Sequence, residues 1–474
     1  MAGESETLRI AMFPWLALGH LIPYLEFAKL IGGQRHHVFF VSTPQNIRRL
    51  IPRVPSDLVP FITFVNLPLP PVAGLPDGAE ATADLPSHLV KFLKVSYDEL
   101  RHPMAEFLRS SSPDWILHDF ASYWLSPIAR QLRIKIGYFS TLNPAFHSFM
   151  GPVSGMKGGE GIRKTPHDFT VTPTWIPFPT TVSFSYYDIK KILDKSSENA
   201  SGSDNGVSDV HRFADVIQDS DVIAVRGSRE FESEWFQVLN EIYQKPVFPA
   251  GHFPTTEHDQ GEETETWEFI KNWLDNQNRG SVVYVAFGTE AKPTKSELTE
   301  IALGLEQSEL PFFWALKTRR GAADGEAVQL PEGFEDRIGG RGLVFRNWVP
   351  QVKILGHESV GGFLSHGGWS SVVEGIKNGK PLILVGFYGD QGINTKVVAE
   401  KKMGLPIPRA EQDGWFGRNS VAESLRMVMV EEQGKIYREK IMEARALFVD
   451  TEIQQKYVVE FLEYLKNNKH SCHG

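Results

Sequence analysis

At 474 residues the chain is too long for one ordinary hydrophobic core, so two domains are expected. With 41% apolar and 23% charged residues it has the make-up of a globular protein, and a net charge of −9 argues against nucleic acid or an anionic membrane surface as its partner. The single cysteine, Cys472, leaves no intramolecular disulfide and no cysteine-built zinc site; with no secretory leader and no apolar run of membrane length, a cytoplasmic monomer is expected.

Residues 8–13 read as a first strand, followed by a turn ending in His20 and by a helix that starts near Leu21 and Pro23 and runs to about Ile31. Further strands are expected at 37–42, 61–67, 115–119, 136–140, 222–224 and 246–250. They are continuous apolar runs rather than alternating ones, the mark of buried parallel strands, and with the intervening helices they give a doubly wound α/β domain over residues 1–250. Glycine, proline and charge clusters at 68–83, 151–166 and 194–208 read as loops, the last polar enough to be mobile. An acidic stretch then makes 251–266 a linker. Strands at 281–287, 312–315, 342–346, 361–364 and 381–385, with a helix at 295–307, give a second doubly wound domain over 267–449, and a final helix occupies 450–474.

Residues 348–391 read WVPQVKILGHESVGGFLSHGGWSSVVEGIKNGKPLILVGFYGDQ. An apolar strand ends at Ser365, a glycine turn follows, and Ser370 and Ser371 precede a helical run carrying Glu374. A helix N-terminus offers unpaired N–H groups and partial positive charge, so a diphosphate can be held there without a metal, with His366 as a further donor. Gly367 and Gly368 let backbone approach the anion, and the serines can cap the helix or donate hydroxyls. Alone, such a turn reads more readily as an ordinary strand-to-helix connection.

Taken whole, the segment resembles the C-terminal signature of the plant family 1 UDP-sugar glycosyltransferases, with Trp348, Gln351, His366, Gly368, Trp369, Ser371, Glu374, Gly379, Pro381, Asp390 and Gln391 in register. Residues 8–23 and 281–289 carry the same resemblance. It implies the GT-B fold, in which two doubly wound Rossmann-like domains face each other across a cleft and the last helix crosses back to the first domain. It also implies roles: Trp348 stacks on uracil, Gln351 and the backbone of Val349 bond uracil and ribose, Glu374 accepts the ribose hydroxyls, and Asp390 and Gln391 bind the sugar. Gly368, Trp369, Ser370, Ser371 and Thr289 would surround the diphosphate, while Ser140 and Thr141 would touch the donor sugar or simply serve as turn residues. The segment FPWLALGHLIP resembles the one whose histidine deprotonates the acceptor, which makes His20 the base. Asp119, ending the run WILHD, would orient it or cap a helix over 120–132.

The sequence departs from the family pattern at Ser370, Gly367 and Gly386, where Asn, Cys and Pro are usual. Ser370 and Gly367 resemble the subgroup that adds a sugar to an existing glycoside. The acceptor is expected against Trp15, Phe120, Tyr123, Phe146 and Phe184 from the first domain and Phe387 and Tyr388 from the second. The function implied is an inverting transfer from UDP-glucose, a co-substrate rather than a tightly bound cofactor, to a flavonoid or terpenoid glycoside, with no metal. UDP-rhamnose is the alternative donor. A nicotinamide oxidoreductase would need a G-x-G-x-x-G after the first strand, which is missing, and a non-catalytic nucleotide-sugar binder would have no use for His20 and Asp119.

Overall fold

A computed structural model describes residues 7–159, 163–201, 207–254, 264–291, 293–316 and 329–469. Strands β1 (Arg9–Phe13), β2 (His37–Ser42), β3 (Ile62–Asn66), β4 (Trp115–His118), β5 (Lys135–Ser140), β6 (Val222–Arg226) and β7 (Val247–Gly251) form one sheet in the order 3-2-1-4-5-6-7. Strands β8 (Val282–Ala286), β9 (Phe312–Ala315), β10 (Gly342–Phe345), β11 (Val360–Ser365), β12 (Leu382–Leu384) and β13 (Gly404–Pro406) form the other, in the order 10-9-8-11-12-13. All the strand pairs are parallel.

The apolar runs are continuous because helices cover both faces of each sheet. In β1, Ala11 and Phe13 join a layer with Tyr97, Leu100 and Trp124, while Ile10 and Met12 join the opposite layer with Leu21, Phe27 and Ile31. The second sheet divides likewise, Val282 and Tyr284 entering one layer, Val283 and Val285 the other. One of these layers is shared between the domains: Phe146, Phe231 and Trp235 pack in the same apolar cluster as Tyr284, Val372 and Phe448.

The chain's last two helices part company. Lys435–Val449 packs on the helix Trp369–Lys377, whereas Thr451–Asn468 lies on β7 and on the helix Leu18–Gly33 of the first sheet. There Val458, Phe461, Leu462 and Leu465 complete the layer that contains Ile10 and Met12, and the Trp115 indole donates to the Leu465 carbonyl at 3.0 Å.

Several expectations are corrected. The first helix begins at Leu18, so His20 lies in its first turn rather than on a loop, and Pro23 is accommodated inside the helix. The helix after Asp119 begins only at Leu125, so Asp119 does not cap it. Residues 194–201, expected in a loop, continue the helix Tyr186–Ser201, with Lys190 and Asp194 paired one turn apart at 2.6 Å. A short helix, Val153–Met156, interrupts the expected loop at 151–166. Strand β13 was not foreseen; it is three residues long, and its Pro406 is tolerated because the strand is at the sheet edge. Residues 255–263 of the expected linker, and Cys472, fall outside the described residues.

Candidate active site at the two switch points

Each sheet reverses its strand order once near its middle, and in doubly wound sheets ligands bind beyond the strand C-termini at that reversal. In the first sheet the neighbours are β1 and β4, followed in the chain by His20 and Asp119. In the second they are β8 and β11, followed by the turns at Gly288–Thr289 and His366–Gly368.

His20 Nδ1 stands 2.7 Å from Asp119 Oδ2, with the histidine side chain 17% exposed and the carboxylate buried. A carboxylate only accepts, so Nδ1 carries a proton, and in the neutral ring Nε2 has the lone pair. Asp119 is itself fixed by the backbone N–H groups of Trp15 at 3.0 Å and Phe120 at 2.8 Å, and Thr141 Oγ1 lies 3.2 Å from the same ring nitrogen. Burial works to lower the His20 pKa, but the Asp119 carboxylate outweighs it, aided by Glu290 and Asp390 from the second domain, and the ring is held above its ordinary 6.5. If His20 is the base, kcat/KM should rise with pH as this proton leaves, with a midpoint above 6.5; a profile flat from pH 6 to 8.5 would contradict it.

Glu290 was not anticipated. It accepts from Thr82 Oγ1 of the first domain at 2.8 Å and from the Tyr388 hydroxyl at 3.2 Å, bridging the two domains near His20. Its position directly after Thr289 was the only signal the sequence held.

In the second domain, Gly288 and Gly367 both take left-handed conformations, with φ of +69° and +79°. A Cβ on Gly288 would come within 2.8 Å of the His366 ring, and one on Gly367 within 2.8 Å of Thr395 Oγ1, so the two turns close around His366 only as glycines. The helix Trp369–Lys377 starts at this turn, with Gly368 at its N-cap, Ser371 and Glu374 nearly buried, and the Ser370 hydroxyl held at 2.8 Å by Arg226 from β6. Trp348, half exposed, offers a flat apolar face. The Gln351 amide is more occupied than expected: its oxygen accepts from the Tyr284 hydroxyl at 3.0 Å and its nitrogen donates to Glu374 at 2.5 Å, leaving one N–H. Val349 is buried beneath, so only its backbone can reach a ligand.

At the far end of the segment 348–391, Asp390 accepts from Asn394 at 2.7 Å; burial pushes its carboxyl above the ordinary range. Asn394 also donates to the Gly367 carbonyl at 2.9 Å and accepts from Asn143 of the first domain at 2.6 Å, a tie between the domains that the sequence did not reveal. The Gln391 oxygen is spent on the backbone N–H groups of Phe387 at 2.9 Å and Tyr388 at 3.4 Å, which leaves its NH₂ as the end able to face a sugar.

Most of the other expected residues are buried or packed against neighbours. Ser140 is wholly buried against His147 at 2.6 Å, Phe184 is core among Phe146, Phe149 and Phe169, and Tyr123 lies under Arg212 with its hydroxyl bonded to Arg101. Trp369 is core, so its contribution to a ligand is its backbone. Trp15 and Phe120 pack edge to face at 6.1 Å, and Phe120 lies 5.8 Å from the His20 ring. Phe146 closes against Phe184, Phe387 packs edge-on against Phe287, and Tyr388 stays exposed at the mouth.

Two parallel doubly wound sheets with facing switch points are the architecture of GT-B glycosyltransferases. A family model described as UDP-glucoronosyl and UDP-glucosyl transferase matches residues 238–472, and one described as Glycosyltransferase, N-terminal domain matches residues 6–124. UDP-glycosyltransferase 91A1 of Arabidopsis thaliana is 48% identical over 98% of both chains, and Soyasaponin III rhamnosyltransferase of Glycine max is 38% identical over 98% of this chain and 96% of its own. The crystal structure of Glycyrrhiza uralensis UGT73P12 complexed with glycyrrhetinic acid 3-O-monoglucuronide superposes with a TM-score of 0.78 at 22% identity, over 98% and 97% of the two chains. The chain belongs to the UDP-glycosyltransferase family. It is an enzyme of glycosyl transfer from a UDP-sugar to small molecules. No helix among the described residues is long and apolar enough to cross a membrane.

Proposed function

We propose that the chain transfers glucose from UDP-glucose to a hydroxyl of a flavonoid or terpenoid glycoside, with inversion at the anomeric carbon. The observation that carries the mechanism is the 2.7 Å contact between His20 Nδ1 and Asp119 at the cleft, which in the neutral ring leaves the lone pair on Nε2. In this reading Nε2 takes the proton of the acceptor hydroxyl as its oxygen bonds to the anomeric carbon. The bond from that carbon to the UDP oxygen breaks on the opposite face, and the electron pair leaves with UDP. A single displacement of this kind inverts the centre, and the Asp119 carboxylate stabilises the imidazolium that forms.

Trp348 would stack on uracil, Glu374 and the remaining Gln351 N–H would meet the ribose, and His366, Ser371, Thr289 and the start of the helix Trp369–Lys377 would hold the diphosphate. Asp390 and the Gln391 NH₂ would meet the sugar. A glycoside acceptor is supported by Ser370 and Gly367 and by the relative named for a soyasaponin, since saponins already carry sugars. That relative is named a rhamnosyltransferase, which is the ground for UDP-rhamnose as the second reading.

Rhamnose lacks the hydroxyl on carbon six, and a site built to bond a hydroxyl rejects an analogue that leaves its polar groups unpaired. UDP-glucose and UDP-rhamnose competed on one saponin acceptor should therefore give specificity constants favouring glucose by at least about tenfold, a preference that shrinks in Gln391→Ala. A preference for rhamnose untouched by Gln391→Ala would replace the first reading with the second.

A further inference from the structure

Arg226 ends β6 in the first domain, yet its side chain reaches the start of the helix Trp369–Lys377 in the second. It is 2% exposed. Nε donates to the His252 carbonyl at 2.7 Å, Nη2 to the Phe253 carbonyl at 3.2 Å and Nη1 to Ser370 Oγ at 2.8 Å. All three acceptors are uncharged, and among the described residues no carboxylate lies within ion-pair distance of the guanidinium. Burial lowers its pKa to about 10, so the group stays a cation at neutral pH, with Glu374, Glu26, Asp390 and Glu232 acting on it only from a distance.

A buried guanidinium is ordinarily matched by a contacting anion. Here that anion is wanting at a spot where the N–H groups of a helix also call for negative charge. Of the five N–H donors three are used, and two remain. We propose that Arg226 is a direct ligand of the UDP diphosphate, supplied by the acceptor domain, whose charge neutralises the leaving group as its bond to the sugar breaks. Ser370 belongs to the same device. Its short hydroxyl lets the guanidinium come up to the helix start, where the longer asparagine usual in the family would occupy that space.

The inference rests on the proposed UDP site, so the test compares UDP with uridine by calorimetry, in the wild type and in Arg226→Met, Arg226→Gln and Arg226→Lys. Both ligands have the uracil and ribose proposed to meet Trp348 and Glu374; only UDP has phosphates. The wild type should prefer UDP. The methionine and glutamine variants should lose about 10- to 100-fold of that preference, the range of one charge-assisted contact, and lysine should keep most of it. Turnover should fall in the same order. Near-UV circular dichroism establishes the fold of each variant, and if methionine does not fold, glutamine against lysine makes the same comparison of charge. A purely structural strut would weaken uridine and UDP alike. An unchanged preference in any folded, uncharged variant overturns the proposal, whereas a wild type that does not distinguish UDP from uridine overturns the nucleotide site itself.

Discussion

His20→Ala is expected to lower kcat by about 10²- to 10⁴-fold, the range of a lost general base, while UDP affinity stays within about twofold of the wild type. The separation follows from the fold. His20 stands on the first sheet's switch point, whereas Trp348, Glu374 and the helix Trp369–Lys377 belong to the second sheet. Turnover with a saturating UDP-sugar and UDP titration by calorimetry would check both halves. A near-normal rate would mean that the acceptor proton leaves by another route, directly to water or to the donor phosphate.

Asp119 calls for a pair of substitutions, because its carboxylate serves two ends. One oxygen accepts from Phe120 N–H and the other from Trp15 N–H and His20. Asp119→Ala leaves two buried backbone donors without partners, at on the order of 1–3 kcal/mol each, so it should lower the melting temperature by several degrees; its loss of rate should be smaller than that of His20→Ala. Asp119→Asn keeps an acceptor for the Phe120 N–H, but its NH₂ then takes the place that faces both His20 Nδ1 and the Trp15 N–H, leaving one backbone donor without a partner rather than two. The NH₂ moves the ring proton to Nε2, the atom that must take a proton from the acceptor. Asparagine should therefore cost less stability than alanine and more turnover, with kcat down by roughly 10²-fold or more. Thermal melts alongside steady-state rates would show it, and an asparagine variant faster than alanine would argue against the tautomer assigned to His20.

What the sequence made legible was local. The central strands announced themselves because a strand covered on both faces is apolar throughout, and the turn did so because Gly367 takes a left-handed φ and a Cβ on Gly368 would crowd His366. The start of the helix Leu18–Gly33 was misplaced because Pro23 looks like a helix beginning and here lies within one. What could not be read were the contacts that exist only once two domains face each other. Arg226 looks like the end of a strand, Asn394 like a polar residue on a helix, and Glu290 like a turn residue; each becomes significant through a partner more than 90 positions away. The role of aromatic residues was hard to read for the opposite reason. Aromatic side chains fill cores as well as they line clefts, and Phe184 is used for the former.

The helix Thr451–Asn468 has a bearing on how the molecule is made. It follows every strand of both sheets in the chain, and it covers the first sheet: Gln454 accepts from His252 N–H at 3.0 Å, Tyr457 accepts from Arg229 N–H at 2.9 Å, and Leu465 receives the Trp115 indole. A growing chain thus exposes the first sheet's apolar back while the whole second sheet is translated, and the usual order of one domain finishing before the next begins is closed to it. Emergence of this helix, rather than of the first half, is the event that lets the first sheet become native.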